Sequence, residues 1–432
     1  MQEESYWIEK ANHVPVFSSV LPASADTVVV GGGIAGLSTA YHLLQAGRSV
    51  VVLERAGVGQ GATGHSTGML TGEVGSDYVE LYRRRGLGFV RRVFDALTYG
   101  GDLLRDTVLK EKIDCDWQSV RALAFGTTIE SVRSARDEFE MLRTLHVPVE
   151  WLNGEKVTDR FAFLRLRAGL LSAGHAVVDP YQLALGLARS VVANGGTLVE
   201  EVAYEGYHCE GDVMVVRTSQ GTLTARCLFL CSDNDAGAWL SGRVPLVSVT
   251  ETVAVTEPVD IVPGWTQGEL LWNEFPLFEY ARRLPDRRIM FGSGRSSKLS
   301  HTSHVPMDRS LMRRVFEETF TIPYPRIDYL WRGSFGVTDD ELPYAGEVEP
   351  GVYLAGGYNG HGLILGFLSG ELLARMATGQ PHPYVDLFGI PHTDGRFGKW
   401  LYRYTPSCVR HMATQAYLDH LHARDIRARR RP

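Results

Sequence analysis

The residues of this chain best suited to chemistry begin in one glycine-rich segment, where Gly31, Gly33 and Gly36 are spaced G-x-G-x-x-G. That spacing permits a tight turn, close approach of backbone to a pyrophosphate and close helix packing. The helix that Ile34 and Ala35 open would then aim its first N–H groups and its positive dipole end at phosphate. Glu54, followed by Arg55, stands 23 residues after Gly31, where a carboxylate accepts hydrogen bonds from a ribose diol. A dinucleotide is the expected ligand. Between Arg55 and Gly68, Gly57, Gly59, Gly61, Gly64 and Gly68 give flexible backbone that runs along an extended ligand. Such a stretch suits FAD; a nicotinamide domain would continue into a regular helix, and Glu54 would repel an NADP 2′-phosphate. A second glycine-rich element holds Tyr358, Gly360, His361 and Gly362 ahead of Leu363. A helix entry there would stabilise an anionic reduced flavin, and His361, with an ordinary pKa of about 6.5, is the first residue expected to exchange protons with an amine or the flavin.

These residues need elements to position them. An apolar run over Thr27 to Val30, a helix to Ala46 ended by Gly47, and a second run over Ser49 to Leu53 predict a βαβ unit. From Tyr78 to about Gly169 the sequence reads as charged, amphipathic helix. Asp179 is placed as an N-cap with Pro180 at the first helical position and Gly195 near the stop. TLVEEVAY, DVMVVRTS and TLTARCLFLCS, separated by turns at Glu210-Gly211-Asp212 and Ser219-Gln220-Gly221, predict a three-stranded meander. A mostly antiparallel sheet is expected from Asp235 to Pro325, then a strand over Val352 to Ala355 and a helix over Leu363 to Thr378. Phe397 to His422 predicts one or two amphipathic helices, and Arg424, Arg427, Arg429, Arg430 and Arg431 concentrate charge after them. Such an end is expected to be solvated, the sharper reading being contact with an anionic membrane surface or an acidic partner.

The composition agrees with a globular chain. Over 432 residues, 44% are hydrophobic and 22% charged, and 44 basic against 50 acidic side chains leave a net charge of −6. This excludes a disordered or disulfide-stapled protein and provides no basic field for nucleic acid. Five cysteines without a CxxC pair fit a reducing cytoplasm, with Cys227 and Cys231 as small buried hydrophobes on one strand face. No signal peptide and no uninterrupted apolar run of membrane-spanning length is visible.

With these segments assembled, the chain resembles the D-amino-acid-oxidase-like superfamily of FAD-dependent amine and amino-acid oxidoreductases, most closely its gamma-glutamylputrescine oxidase, glycine oxidase and dimethylglycine dehydrogenase branches. The resemblance is carried by VVVGGGIAGLSTAYHLLQAG, VGQGATGHSTG, VVDPYQLALGLA, CLFLCSDNDA, WRGSFGVTDDELPYAG and GGYNGHG in order, with the opening SYW. It implies an α/β fold with a discontinuous Rossmann-type FAD-binding domain (residues 1–77, 166–235 and 326–380). An antiparallel-sheet substrate domain (78–165 and 236–325) interleaves with it, and 381–432 form a C-terminal extension. Carried over by position, Gly61, Ala62, Thr63, His65, Ser66 and Met69 would border the cofactor, as would Ser232 and Gly333. Val202 would pack at the adenine and Gly360 to Leu363 at the pyrimidine ring. His65 also matches a histidine that is covalently linked to flavin in one branch; a loop histidine hydrogen-bonding beside non-covalent FAD is the favoured reading.

Two departures bear on function. Ser232 and Asp233 replace a small-residue turn beside the cofactor. Phe335 stands where glycine oxidase has a carboxylate-gripping arginine, leaving Arg282, Arg283 and Arg332 as possible replacements. Phe335 with Trp272, Tyr280 or Tyr358 would favour an alkyl amine or methylated ammonium. The implied activity is oxidation of a C–N bond of an amine or amino acid, giving an imine that water hydrolyses. Electrons would pass to O₂ or a carrier. The alternative is a non-catalytic FAD-binding subunit.

Overall fold

The computed structural model describes residues 4–11, 14–15, 17–18, 20–211, 213–235, 246–260, 262, 264–265, 268–299, 306–338, 340–389 and 407–430. Two β-branched runs, Thr27–Val30 and Val50–Leu53, are buried throughout, as expected of strands covered on both faces. They sit inside a six-stranded sheet ordered Tyr344–Glu349, Val352–Gly356, Cys227–Leu230, Thr27–Val30, Val50–Leu53, Thr197–Val199. All its pairs are parallel except the first, between Tyr344–Glu349 and Val352–Gly356. Side-chain alternation divides it: Val29, Val52 and Phe229 face helices Ile34–Gln45, Pro180–Ala193 and Gly362–Ala377. Val28, Val30, Val51 and Leu53 face a separate three-stranded sheet. Cys231 joins the helix-side core and Cys227 packs against it. Burial pushes the Cys231 thiol up to about 12, so both act as small apolar residues.

That smaller sheet corrects the expected meander. Its strands are Tyr204–Glu210, Val213–Thr218 and Gly221–Ala225, joined at both foreseen turns. Thr197–Val199 and Cys227–Leu230 belong to the parallel sheet instead. Each long run changes sheets at a break, with Glu201 at φ +60° in the first. Asp179 caps its helix as expected, accepting from Tyr181 N and Gln182 N at 2.9 Å.

A ten-stranded sheet forms the other half. Its path runs Lys298–Leu299, Val247–Thr256, Ile289–Ser293, Glu279–Arg283, Leu270–Asn273, Gln118–Gly126, Ala168–Val177, Met69–Leu70, with Ile327–Val337 and Val149–Asn153 pairing at its sides. Gln118–Gly126 and Val149–Asn153 correct the expectation of helix throughout 78–169. Exposed Gln118 and Ser119 and the half-buried Arg121 leave the first of these strands only a short apolar run to announce it. One face of the sheet packs on a core containing Phe161, Phe163, Trp265, Phe316 and Phe320; the other faces a large cavity.

Among its described residues the C-terminal segment holds one helix, within the expected one or two, but places one of its charges differently. Ser407–Arg430 is a single helix lying on the ten-stranded sheet, with Leu418 packed against Val249 and Leu299. Arg429 is not a solvated charge: its Nη2 is 2.7 Å from buried Glu279. Residues 397–406 and Arg431 lie outside the described residues. Among the described residues no helix is long and apolar enough to cross a membrane.

Candidate active site

The glycine turn owes its shape to missing side chains. Gly31 has φ +110°, and a Cβ there would sit 2.8 Å from the Cys231 carbonyl oxygen; one on Gly36 would lie 1.9 Å from the Gly31 oxygen. Strand, turn and helix are in direct backbone contact. Gly33 is the N-cap of helix Ile34–Gln45 and supplies no side-chain cap; Ile34 N donates to Thr63 Oγ1 at 3.1 Å. Glu54 accepts from Gly32 N at 2.7 Å and from Ala56 N at 2.9 Å. The opening Ser5-Tyr6-Trp7 staples the following loop, Ser5 Oγ donating to Gly64 O and Trp7 Nε1 to Ser66 O.

These groups border one cavity of about 2240 Å³, which extends between the two sheets. That is beyond the usual few hundred to ~1,000 Å³ of a small-ligand pocket, leaving space for an extended cofactor and a substrate together. Of the residues singled out from sequence, Gly31, Gly33, Ile34, Ala35, Glu54, Arg55, Gly61, Ala62, Thr63, His65, Ser66, Met69, Val202, Ser232 and Gly333 line it. So do Trp272, Tyr280, Phe335, Tyr358, Gly360, His361, Gly362 and Leu363. Gly36 does not, being packed beneath the turn. His65 is held by its own loop, Nδ1 lying 2.9 Å from Gly61 O.

The unusual Ser232-Asp233 turn is a structural brace. Asp233, buried and at φ +51°, accepts from Gly336 N at 2.9 Å and Gly357 N at 2.8 Å. It ties the strand bearing Phe335 to the turn bearing Tyr358. Burial pushes its carboxyl above the usual range, while hydrogen bonds from these amides oppose that shift. Asp233→Ala would orphan two buried donors, so an unfolding midpoint lowered by the equivalent of about 2–4 kcal/mol is expected in thermal or urea melts. A midpoint matching the parent would contradict this role.

His361 is the N-cap of helix Gly362–Ala377 without a side-chain cap bond, and its Nδ1 is 3.3 Å from Thr71 Oγ1. Burial pushes its pKa down to about 4, which favours the neutral imidazole at pH 7.

Comparison with known proteins fits this geometry. Residues 26–376 match the family of FAD-dependent oxidoreductases designated DAO. The chain belongs to this family. It is 26% identical over 405 residues to gamma-glutamylputrescine oxidoreductase of Escherichia coli K12, covering 90% of this chain and 92% of that one. Its fold is similar to L-proline dehydrogenase from P. horikoshii (TM-score 0.71, 18% identity, 85% of this chain and 97% of that chain). Glycine oxidase from Geobacillus kaustophilus gives a TM-score of 0.66 at 19% identity, over 86% of this chain and 99% of that chain.

FAD is accordingly the cofactor of this family member, and its residues fit it. Gly31, Gly33, Ile34 and Ala35 of the glycine turn border the cavity, where a pyrophosphate would meet backbone. Ser232 borders the cavity, and its buried Oγ has no hydrogen-bond partner among the described residues, as expected of a group awaiting a polar ligand.

The substrate side holds two surprises. The arginines considered as replacements for the missing clamp do not line the cavity. Arg282 is buried and donates to the carbonyls of Thr67, Gly68 and Val178 at 2.9, 3.0 and 2.9 Å. It also lies over the Trp7 ring. Desolvation lowers its pKa to about 10. Arg283 donates to Trp265 O and Val259 O. The sequence reading also missed a group of carboxyls. Glu73, Asp77, Glu138 and Glu274 line one region of the cavity and repel one another. Desolvation, reinforced by Asp77, raises Glu73 to about 7; desolvation, reinforced by Asp77 and Glu73, raises Glu274 to about 8. Glu138 is raised too. Among the described residues no three such side chains are close enough to chelate a metal. Glu73 and Asp77 share one segment, but Glu138 and Glu274 come from two distant ones, so no single sequence spacing could have announced the group.

Proposed function

We propose that this protein oxidises the C–N bond of an amine bearing a second cationic or hydrogen-bond-donating nitrogen, the imine product being hydrolysed by water. The carboxyl group of Glu73, Asp77, Glu138 and Glu274 carries this reading. Glu73 and Glu274 titrate near 7 and 8, so each is suited to accept the proton an ammonium must lose before its C–H bond reacts. Of the rim arginines, Arg84 is tied to Glu80 and Glu341 and Arg105 to Asp102 and Asp106, while Arg83 offsets part of the charge at Asp77. Thr71 supports the same region, bonded to Glu73 and next to His361 Nδ1. Tyr280, Phe335 and Trp272 are proposed as the apolar wall that orients the alkyl chain, with Tyr358 behind the glycine turn and neutral His361 as a polar contact. When bound, FAD supplies the two-electron acceptor. Reoxidation by O₂ or a carrier completes the cycle.

The test is an anaerobic visible spectrum of the holoprotein with monoamines, diamines and amino acids added in turn. The flavin band near ~450 nm is expected to bleach fastest with diamines or other amines carrying a second nitrogen. Bleaching by simple α-amino acids alone would overturn the substrate class. A bound flavin that none of them bleaches would favour a non-catalytic FAD-binding subunit.

A further inference from the structure

The C-terminal helix Ser407–Arg430 lies beyond residues 26–376, the part matched by the family, yet it reaches the cavity. Leu418, His420, Leu421 and Arg424 all line it. Leu418 is buried and covers a row running across three adjacent strands, formed by Leu299, Val249 and Phe335. Phe335 is the wall residue at the position of the family's arginine clamp, so this helix seals an apolar part of the substrate chamber.

Arg429 anchors the C-terminal end of the helix. Arg429 lies 2.7 Å from Glu279 Oε1 and 2.7 Å from Asp425 Oδ2. It donates to Leu277 O at 3.1 Å, and its guanidinium stacks over Phe275, 4.1 Å from the ring centroid. Glu279 and Asp425 are both buried, and two carboxylates drawn from water need such a cation between them. Arg295, 3.4 Å from Glu279, assists. Phe275, Pro276, Leu277 and Phe278 form a loop that lines the cavity and directly follows Glu274. Arg429 thus fastens the helix to the loop that carries one of the chamber's carboxyls.

We propose that this helix is the outer wall of the substrate chamber, with Leu418 and Leu421 limiting the bulk of the amine admitted and Arg429 acting as a positioning residue for the Phe275–Phe278 loop. The bulk limit rests on the cavity being an amine-oxidising site; the wall itself does not. Of the terminal arginines, Arg429 is committed inside the protein, while Arg424 and Arg427 remain exposed.

The experiment compares full-length holoprotein with Leu418→Ala, Arg429→Gln and a chain truncated after Gly389. Two readouts need no turnover: collisional quenching of bound flavin fluorescence by acrylamide, and hydrogen–deuterium exchange of residues 274–279. The quenching constant is expected to rise at least about two-fold in Leu418→Ala and in the truncation, and the loop to exchange at least about ten-fold faster in Arg429→Gln. Anaerobic reduction by 1,4-diaminobutane and by its bulkier N-benzyl derivative is expected to lose discrimination, through the apparent dissociation constant more than the limiting reduction rate. If the truncated chain fails to fold, the two substitutions decide. Quenching and loop exchange matching the parent in both substitutions would overturn the proposal. If no amine reduces the full-length flavin, the function proposed above fails, while quenching and exchange still test the wall.

Discussion

Gly36→Ala is expected to purify almost free of flavin. The added methyl would lie 1.9 Å from the Gly31 carbonyl oxygen, far inside any contact distance, and neither partner is the mobile end of a side chain. The turn would have to open, displacing the helix entry from the strand and spreading the amides that receive the pyrophosphate. A loss of FAD affinity of about 100- to 1,000-fold, equivalent to about 3–4 kcal/mol, is the expected scale. It is read from the ratio of flavin to protein absorbance and a titration of the apoprotein with FAD. Gly88→Ala is the matched control, because a Cβ on Gly88 meets nothing within 4 Å. Full flavin occupancy in Gly36→Ala, with unchanged circular dichroism, would show that the pyrophosphate does not lie on this turn.

Glu274→Gln should weaken the substrate interaction and strengthen the fold at once. Its carboxyl sits near 8 in the folded protein against an ordinary 4.5. Between those values the folded state holds a proton that the unfolded state has released. Stability from this group is therefore largest below about 4.5 and declines as pH rises toward about 8. Removing the titration should raise the melting temperature at pH 8 relative to pH 5. In turnover the same carboxylate is proposed to face the substrate's ammonium, and losing one charge-assisted contact costs about 1.5–3 kcal/mol. KM should rise about ten- to a hundred-fold, with kcat changed less. In the parent, KM for a diamine should fall as pH rises through 7 to 8, and that limb should flatten in the variant. A KM and pH profile indistinguishable from the parent's would remove Glu274 from the substrate site.

The functional devices differ in how far each could be read before folding. The G-x-G-x-x-G turn, the Asp179 cap and the strand–turn–helix at Val352–Ala377 are legible because their chemistry is local: φ > 0, a missing Cβ or a cap acts within a few residues. The meander was foreseen at its turns but not at its ends, since alternation does not say which of two sheets receives a strand. His361 has an ordinary side chain in the sequence and a desolvated, neutral one in the protein, because burial belongs to the fold.

From its sequence alone, then, this chain determined a phosphate-binding glycine turn, the preference for FAD and membership of a flavoprotein superfamily, all properties of contiguous segments. Only the tertiary structure decided where its charges went. It spent Arg282 on three carbonyls, fastened Arg429 between two buried carboxylates and laid the C-terminal helix over Phe335. It also gathered Glu73, Asp77, Glu138 and Glu274 around one cavity. A charge acts through the groups beside it and the water excluded around it, and both are settled when distant segments pack together.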